Sequence, residues 1–285
     1  MEFVGLSKDH LGFRLKEEPG CEPAWFVPHM SDIMAHDPDG CFALVDGGET
    51  VGMVTTTCYQ TVGWIGWLYV AERHRGRGLG ATLMQRAVEH LKSKGTSTVI
   101  LEAVVEAISL YQRLGFRGQF ITQHYLLEEA GHSASDDVDV RDISQCSVDD
   151  IAAFDRRFFG QDRRRLFEIV MKNPNFVGNI AYRNNSIAGI LFLTEAEKNR
   201  QVSPMIVDLS VGSPDQTAQA LVSAAFAKSD KPLYFRCPLV DSGRAAMLVR
   251  QGVVEVAYHT VRMCLGRDNV VEKAGTLSLG CPGKG

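Results

Sequence analysis

Apolar residues recur along this chain in two rhythms, one with the period of a helix and one with that of a strand. Leu79, Leu83, Met84, Ala87, Val88 and Leu91 fall on one stripe of an amphipathic helix, and Gly95 follows as its stop. Upstream, Phe42 to Val45 and Val51 to Val54 flank Asp46-Gly47-Gly48, a hairpin signal. Gly63 to Val70 reads as a further strand, and a polar helix is expected over roughly Trp25 to Ala35. Downstream, Thr98 to Ala103 is a β-rich run, and Leu110 to Leu114 is a short helix closed by Gly115. An antiparallel meander running into a β-α-β unit predicts an α+β fold with a mixed sheet.

The plan occurs twice. Asn184-Asn185 separates Ile180 to Tyr182 from Ile187 to Leu193 and repeats the hairpin signal. Gly189 stands 137 residues after Gly52, and Gly252 stands 137 after Gly115, so two distant landmarks share one offset. The stretch from Glu128 to Asp137 is small, polar and aperiodic, as a linker would be. The expected organisation is therefore a domain over residues 1–129, a linker over 130–138, a second domain over 139–267 and a flexible tail over 268–285. Aligning Val70 with Val211 shifts the offset to 141, which makes the second copy four residues short between that strand and its closing glycine.

Composition narrows the function classes. The chain has 285 residues, 45% hydrophobic and 22% charged, with a net charge of −4 and a pI near 6.1. Disorder is excluded, and the basic surface of a nucleic-acid or membrane-surface binder is not visible at whole-chain level. The longest apolar runs, such as Val62 to Val70, are too short to span a bilayer, and the first residues lack the pattern of a secretion signal. Seven scattered cysteines without C-x-x-C spacing predict reduced thiols in a cytoplasmic protein and no structural metal.

The chemistry concentrates at one strand-to-helix junction, Val70-Ala71-Glu72-Arg73-His74-Arg75-Gly76-Arg77-Gly78-Leu79-Gly80. Its glycines let backbone approach a ligand closely, the helix start presents free amides and a positive dipole end, and Arg73, Arg75 and Arg77 add fork-shaped cations suited to phosphate oxygens. The pattern predicts a pyrophosphate site. Two other readings stand beside it. One is a plain glycine-rich turn with solvated arginines. The other is a dinucleotide fold, since Gly76-x-Gly78-x-x-Ala81 fits G-x-G-x-x-G/A with Glu102 as the ribose acid, although hairpin strands before the loop and arginines within it are out of place there.

Arg75-Gly76-Arg77-Gly78-Leu79-Gly80 resembles the R/Q-x-x-G-x-G/A acyl-CoA loop of the GNAT N-acetyltransferase superfamily. Leu110-Tyr111-Gln112-Arg113-Leu114-Gly115-Phe116 resembles its closing L-Y-x-x-x-G-F motif. The stretch from Asp37 to Phe116 is similar to tandem acetyltransferases in which an active first domain precedes a degenerate second one, whose start Asp155 to Arg163 resembles. The resemblance implies acetyl-CoA as co-substrate, an amine acceptor, direct attack in a ternary complex and no metal. It places Leu68, Tyr69 and Val70 along the thioester, with Arg75, Gly76, Arg77, Gly78, Leu79 and Gly80 on the phosphates.

Tyr111 is then the candidate general acid toward the departing thiolate, a phenol of pKa near ~10 suiting a thiol leaving group. Glu102, at the end of a strand, is the first candidate base, ahead of Glu72 and His74. The chain departs from the family pattern at Val104, where Asn is frequent, and in the strand Ile65 to Val70, which carries Trp67 and Tyr69 but no Glu. Arg163, Arg164 and Arg165 are either a 3′-phosphate site or a solvated helix face. Cys41 and Cys58 have no neighbouring base that would make them nucleophiles. In the second copy Gly212 to Ala218 has no arginine and places Asp215 where an anion would sit, predicting one acetyl-CoA site per chain. A protein of another class, an acyl-CoA-binding sensor without transfer activity, is the alternative.

Overall fold

The computed structural model describes residues 1–18, 22–130, 137–267 and 274–280. Contacts group them into two units: Met1–Gln119 with 261–267, and Phe120–Thr260 with 274–280.

The first unit contains β1 (Glu2–Gly5), α1 (Gly12–Glu17), α2 (Pro23–His36), β2 (Phe42–Asp46), β3 (Glu49–Tyr59), β4 (Val62–Val70), α3 (Leu79–Ser93), β5 (Thr98–Ala103) and α4 (Ile108–Arg113). Strands β1 to β4 pair antiparallel in sequence order, and β5 adds parallel to β4 after the α3 crossover. The β2–β3 turn is made by Gly47 and Gly48, both at positive φ, as a tight hairpin demands. On α3 the expected stripe is the buried face: Leu83, Met84, Ala87 and Leu91 are fully buried against Val54, Ile65, Val99 and Leu101.

The chain then enters β6 (Arg117–Leu127), most of which belongs to the second unit. There follow β7 (Asp139–Asp142), α5 (Val148–Phe159), α6 (Arg164–Val170), β8 (Phe176–Arg183), β9 (Ser186–Glu195), β10 (Arg200–Val207), α7 (Pro214–Phe226), β11 (Leu233–Pro238), α8 (Ser242–Arg250), β12 (Val254–Gly266) and β13 (Thr276–Ser278). Asn184 and Asn185 turn the β8–β9 hairpin at positive φ, the second copy's counterpart of the paired glycines. Leu221, Val222 and Ala225 of α7 are fully buried in this unit's core. No helix among the described residues is long and apolar enough to cross a membrane.

Three expectations need correction. The domain boundary does not follow the chain, because each unit is completed by the other copy's last strand. Val261 to Gly266 pair antiparallel with Ala103 to Thr98 in the first unit, and Leu127 to Thr122 pair with Leu233 to Pro238 in the second. A strand joins whichever open edge satisfies its backbone.

Second, the tail expected over 268–285 is in part a built strand. Thr276, Leu277, Ser278 and Leu279 are 3%, 1%, 0% and 2% exposed, because β10 offers them a ladder. Residues 268–273 and 281–285, like 131–136 of the expected linker, lie outside the described residues.

Third, the four-residue deficit dissolves in the ladder register. Val70 pairs with Gly52 and Val207, not Val211, pairs with Gly189, so the 137-residue offset also holds at the strand ends. What differs is the following loop, residues 71–78 in one copy and 208–213 in the other, two residues shorter in the second.

Candidate active site

The site begins with a fault in β4. Met53 pairs with Tyr69 and Thr55 with Gly66, so Val54 alone faces two residues, Trp67 and Leu68. This is a β-bulge, and Trp67 takes φ +51, a left-handed conformation that is costly for a bulky side chain. Packing holds it there. The Trp67 ring meets Trp25 at 5.7 Å, Phe26 at 5.2 Å and His29 at 5.6 Å, and the Arg14 guanidinium lies 4.7 Å from its centroid. Meanwhile β4 stays paired with β5 only from Val62 to Trp64. Beyond Trp64 the two strands part, and the backbone of Leu68 to Val70 has no β5 partner.

The gap opens at the start of α3. Gly76 and Gly78 have φ +74 and +79, values that favour glycine, and a Cβ on either would meet nothing within 4 Å. Gly78 caps α3 without any side-chain hydrogen bond, so the first-turn amides are left to a ligand, with the positive end of the helix dipole behind them. Arg75 Nε donates to the Val70 carbonyl at 3.0 Å, which brings its guanidinium 5.4 Å from the Tyr69 ring. Arg77 Nη1 lies 3.0 Å from His74 Nδ1. Arg73 instead makes an ion pair with Glu49.

These elements enclose a cleft of about 770 Å³. Leu68, Tyr69, Val70, Arg75, Gly76, Gly78, Leu79 and Gly80 line it, so of the nine expected cofactor residues only Arg77 is outside the lining. The opposite wall is Val104, Glu106, Ala107, Leu110, Arg113 and Leu114. A glycine-framed mouth with cations at one end and an apolar slot between parting strands fits a long anionic thioester. It does not fit a dinucleotide fold, whose glycine loop follows the first strand of a parallel sheet.

The two expected catalytic residues are not among the lining. Glu102 accepts a hydrogen bond from Arg262 Nε at 2.7 Å, and the two side chains are 5% and 0% exposed. Arg262 also lies 4.5 Å from the Trp64 ring centroid. Glu102 is thus half of a buried ion pair between β5 and β12, which takes it out of the role of first-choice base. Tyr111 is buried in the core, edge-on to Phe116 at 6.0 Å, and burial pushes its phenol up to about 12. It is held protonated, the state a proton donor needs.

Other candidates settle into structure. Burial pushes Cys41 up to about 12 and raises Cys58 as well, so neither thiol is activated. Arg163 makes a buried ion pair with Asp155, Nε to Oδ2 at 2.9 Å, and stacks 4.0 Å from the Phe159 ring centroid. Arg164 pairs with Asp149 and Glu168 on the surface. Among the described residues no cluster of His, Cys, Asp or Glu could hold a metal.

Sequence reasoning missed the amino-terminal wall. Arg14 and Glu18 of the α1 region line the cleft and are bonded to each other, Nη2 to Oε2 at 2.6 Å. Glu17 Oε2 accepts from the Tyr69 hydroxyl at 3.0 Å and from the Glu72 amide at 2.9 Å. Burial and the Glu17 carboxylate push the Tyr69 phenol up to about 12. No motif marks α1; the available signal was two carboxylates beside an apolar segment, which occurs on most surface helices.

Comparison with known proteins agrees with this geometry. Residues 12–116 match the acetyltransferase (GNAT) family, and residues 151–278 match an acetyltransferase (GNAT) domain. An uncharacterized N-acetyltransferase of Methanocaldococcus jannaschii is 34% identical over 36% of this chain and 50% of its own length. The N-alpha-acetyltransferase 30 of Schizosaccharomyces pombe is 31% identical over 31% of this chain and 65% of its own. The chain thus spans about half to two thirds of these curated relatives. The crystal structure of a proposed acetyltransferase from Pyrococcus horikoshii superposes on 100% of this chain and 95% of that one, with a TM-score of 0.83 at 20% identity; it is similar in fold. The chain belongs to the GNAT acetyltransferase family and carries two copies of its domain in tandem.

Proposed function

We propose that the first unit transfers an acetyl group from acetyl-CoA to the amine of a small-molecule acceptor, by direct attack while both substrates are bound. The observation that carries this reading is the conjunction, in one cleft, of an uncapped glycine-framed helix start with a strand gap opened by the Trp67 bulge. Gly76, Gly78 and the first-turn amides of α3, with Arg75 and Arg77 beside them, receive the pyrophosphate. Leu68 to Val70 run along the arm that carries the thioester and turn toward it the edge that β5 leaves unpaired. Amides fixed by a packed bulge stabilise the oxygen that gains charge during attack without having to reorient.

Proton movement falls to three residues. Tyr111, kept protonated by burial next to the cleft-lining Leu110, is the donor proposed for the departing thiolate. Glu17, whose Oε2 accepts from the hydroxyl of the cleft-lining Tyr69 and from the Glu72 amide, replaces Glu102 as the carboxylate that takes the proton of the attacking amine. Tyr69, bonded to Glu17 and lining the cleft, relays it.

The test is release of free thiol from acetyl-CoA over a panel of amino acids, polyamines, aminoglycosides and arylamines. Amine-dependent release from at least one class supports the reading. Tight acetyl-CoA binding with background release from every class would sink it.

A further inference from the structure

The second unit contains the same pair of parting strands. β10 and β11 are parallel partners only at Arg200 with Leu233 and Gln201 with Tyr234, and β10 has its own register shift between Val202 and Met205, at the place where β4 has Trp67. In the first unit the space beyond the last parallel pair is the cleft. In the second it holds the carboxy-terminal segment.

That segment bonds to both parting strands. Against β10, Met205 pairs with Ser278 and Ile206 with Thr276, and the Val207 amide donates to the Gly275 carbonyl at 2.8 Å. Against β11, the Leu279 amide donates to the Arg236 carbonyl at 2.8 Å, and the Arg236 amide donates to Ser278 Oγ at 3.0 Å. Ser278 Oγ in turn donates to the Val202 carbonyl at 3.3 Å. Gly275 has φ +101, and a Cβ there would stand 2.2 Å from the Val207 carbonyl oxygen; the backbones approach at a distance only glycine permits.

The mouth of this slot is closed as well. Arg183 Nη2 donates to Gln216 Oε1 at 2.7 Å in the first turn of α7, and the arginine stem lies where a Cβ on Gly212 would be, 2.7 Å from its Cδ. Asp215, also in that turn, is bonded to Arg250 at 2.9 Å. A guanidinium already bonded to the helix start and a carboxylate beside it leave no welcome for pyrophosphate.

We infer that the second copy has become a peptide-binding slot whose ligand is residues 274–280 of its own chain, an extended uncharged strand lying where, on the reading proposed above, the first copy takes the acyl-CoA arm. Strand addition satisfies the same freed backbone groups that a bound arm would. Acetyl-CoA therefore binds once per chain.

Amide hydrogen exchange on the full chain, with and without saturating acetyl-CoA, separates this inference from the functional reading. The Val207, Arg236 and Leu279 amides are expected to exchange slowly without ligand and to change less than twofold with it, while the Leu68 to Val70 amides slow at least tenfold. In Gly275→Val the first three speed up at least tenfold, and acetyl-CoA affinity and its one-to-one stoichiometry are unchanged. The slot is refuted if those three exchange like unfolded chain in the wild type, if Gly275→Val leaves them unaltered, or if two acetyl-CoA bind. Protected slot amides with an unresponsive Leu68 to Val70 would support the slot while overturning the acetyl-CoA assignment.

Discussion

The two units are the same construction with opposite outcomes at the same place. Each has a hairpin, a bulged strand, a crossover helix and a parallel strand that parts from the bulged one. In the first the part is an open cleft of about 770 Å³. In the second it is filled by a strand whose core residue Leu277 is 1% exposed. The scaffold thus supplies the gap, while the loop after the strand and the tail decide whether a ligand can use it. The cross-strand positions teach a similar lesson. Glu102 faces Arg262 in the first unit, and at the corresponding rung of the second Arg236 faces His124, so the fold itself does not demand an ion pair there.

The largest effect is expected from breaking that pair. Arg262→Ala leaves Glu102 buried without its guanidinium and should cost about 3–5 kcal/mol, the range for removing one partner of a buried ion pair. Urea unfolding checks it, and replacing both residues with methionine should recover most of the loss. A loss below about 1 kcal/mol would mean the pair is as dispensable in the first unit as its counterpart is in the second.

Next comes the loop. Gly78→Asp sets a carboxylate at the helix start in a left-handed position that aspartate tolerates, and should weaken acetyl-CoA binding about 10–100-fold, or about 1.4–2.7 kcal/mol, with an unchanged circular dichroism spectrum. Arg75→Ala should weaken it about tenfold. Asp215→Asn, the mirror change in the second unit, should leave acetyl-CoA affinity unaltered in the same titration. A gain of a second binding event there would erase the contrast between the copies.

A smaller change tests the chemistry. Tyr111→Phe should lower kcat about tenfold with little change in KM, less than the roughly 10²–10⁴-fold of a typical general acid because a thiolate needs little protonic help to leave. The phenol is raised to about 12, so the donor form is present at all lower pH, and kcat should not fall on account of Tyr111 until pH approaches 12. A fall near pH 10 that Tyr111→Phe abolishes would contradict the burial argument. At the bottom of the scale, Arg164→Ala on the exposed face of α6 should leave the melting temperature within error, as surface ion pairs contribute little.

Much of the fold was legible because its signals are local. The stripe from Leu79 to Leu91 is periodic whatever it packs against, and Gly47-Gly48 and Asn184-Asn185 are turn residues for backbone reasons alone. The glycine loop before α3 was legible for the same reason, since positive φ at Gly76 and Gly78 and the helix start are properties of adjacent residues. Glu102 was misjudged because its partner Arg262 lies 160 residues away. Glu17 was missed because Tyr69 and Glu72, which give it meaning, are 52 and 55 residues distant.

Local order therefore determined the helices, the hairpins, the duplication and the glycine–arginine loop at the start of α3. Only the tertiary structure decided which edge each last strand completes, which carboxylate meets a guanidinium, and that residues 274–280 fill the second gap. The physical reason is that an open strand edge states a demand for hydrogen bonds without naming who will meet it. Any segment long enough to reach the edge can answer, and its identity emerges only when the chain is folded.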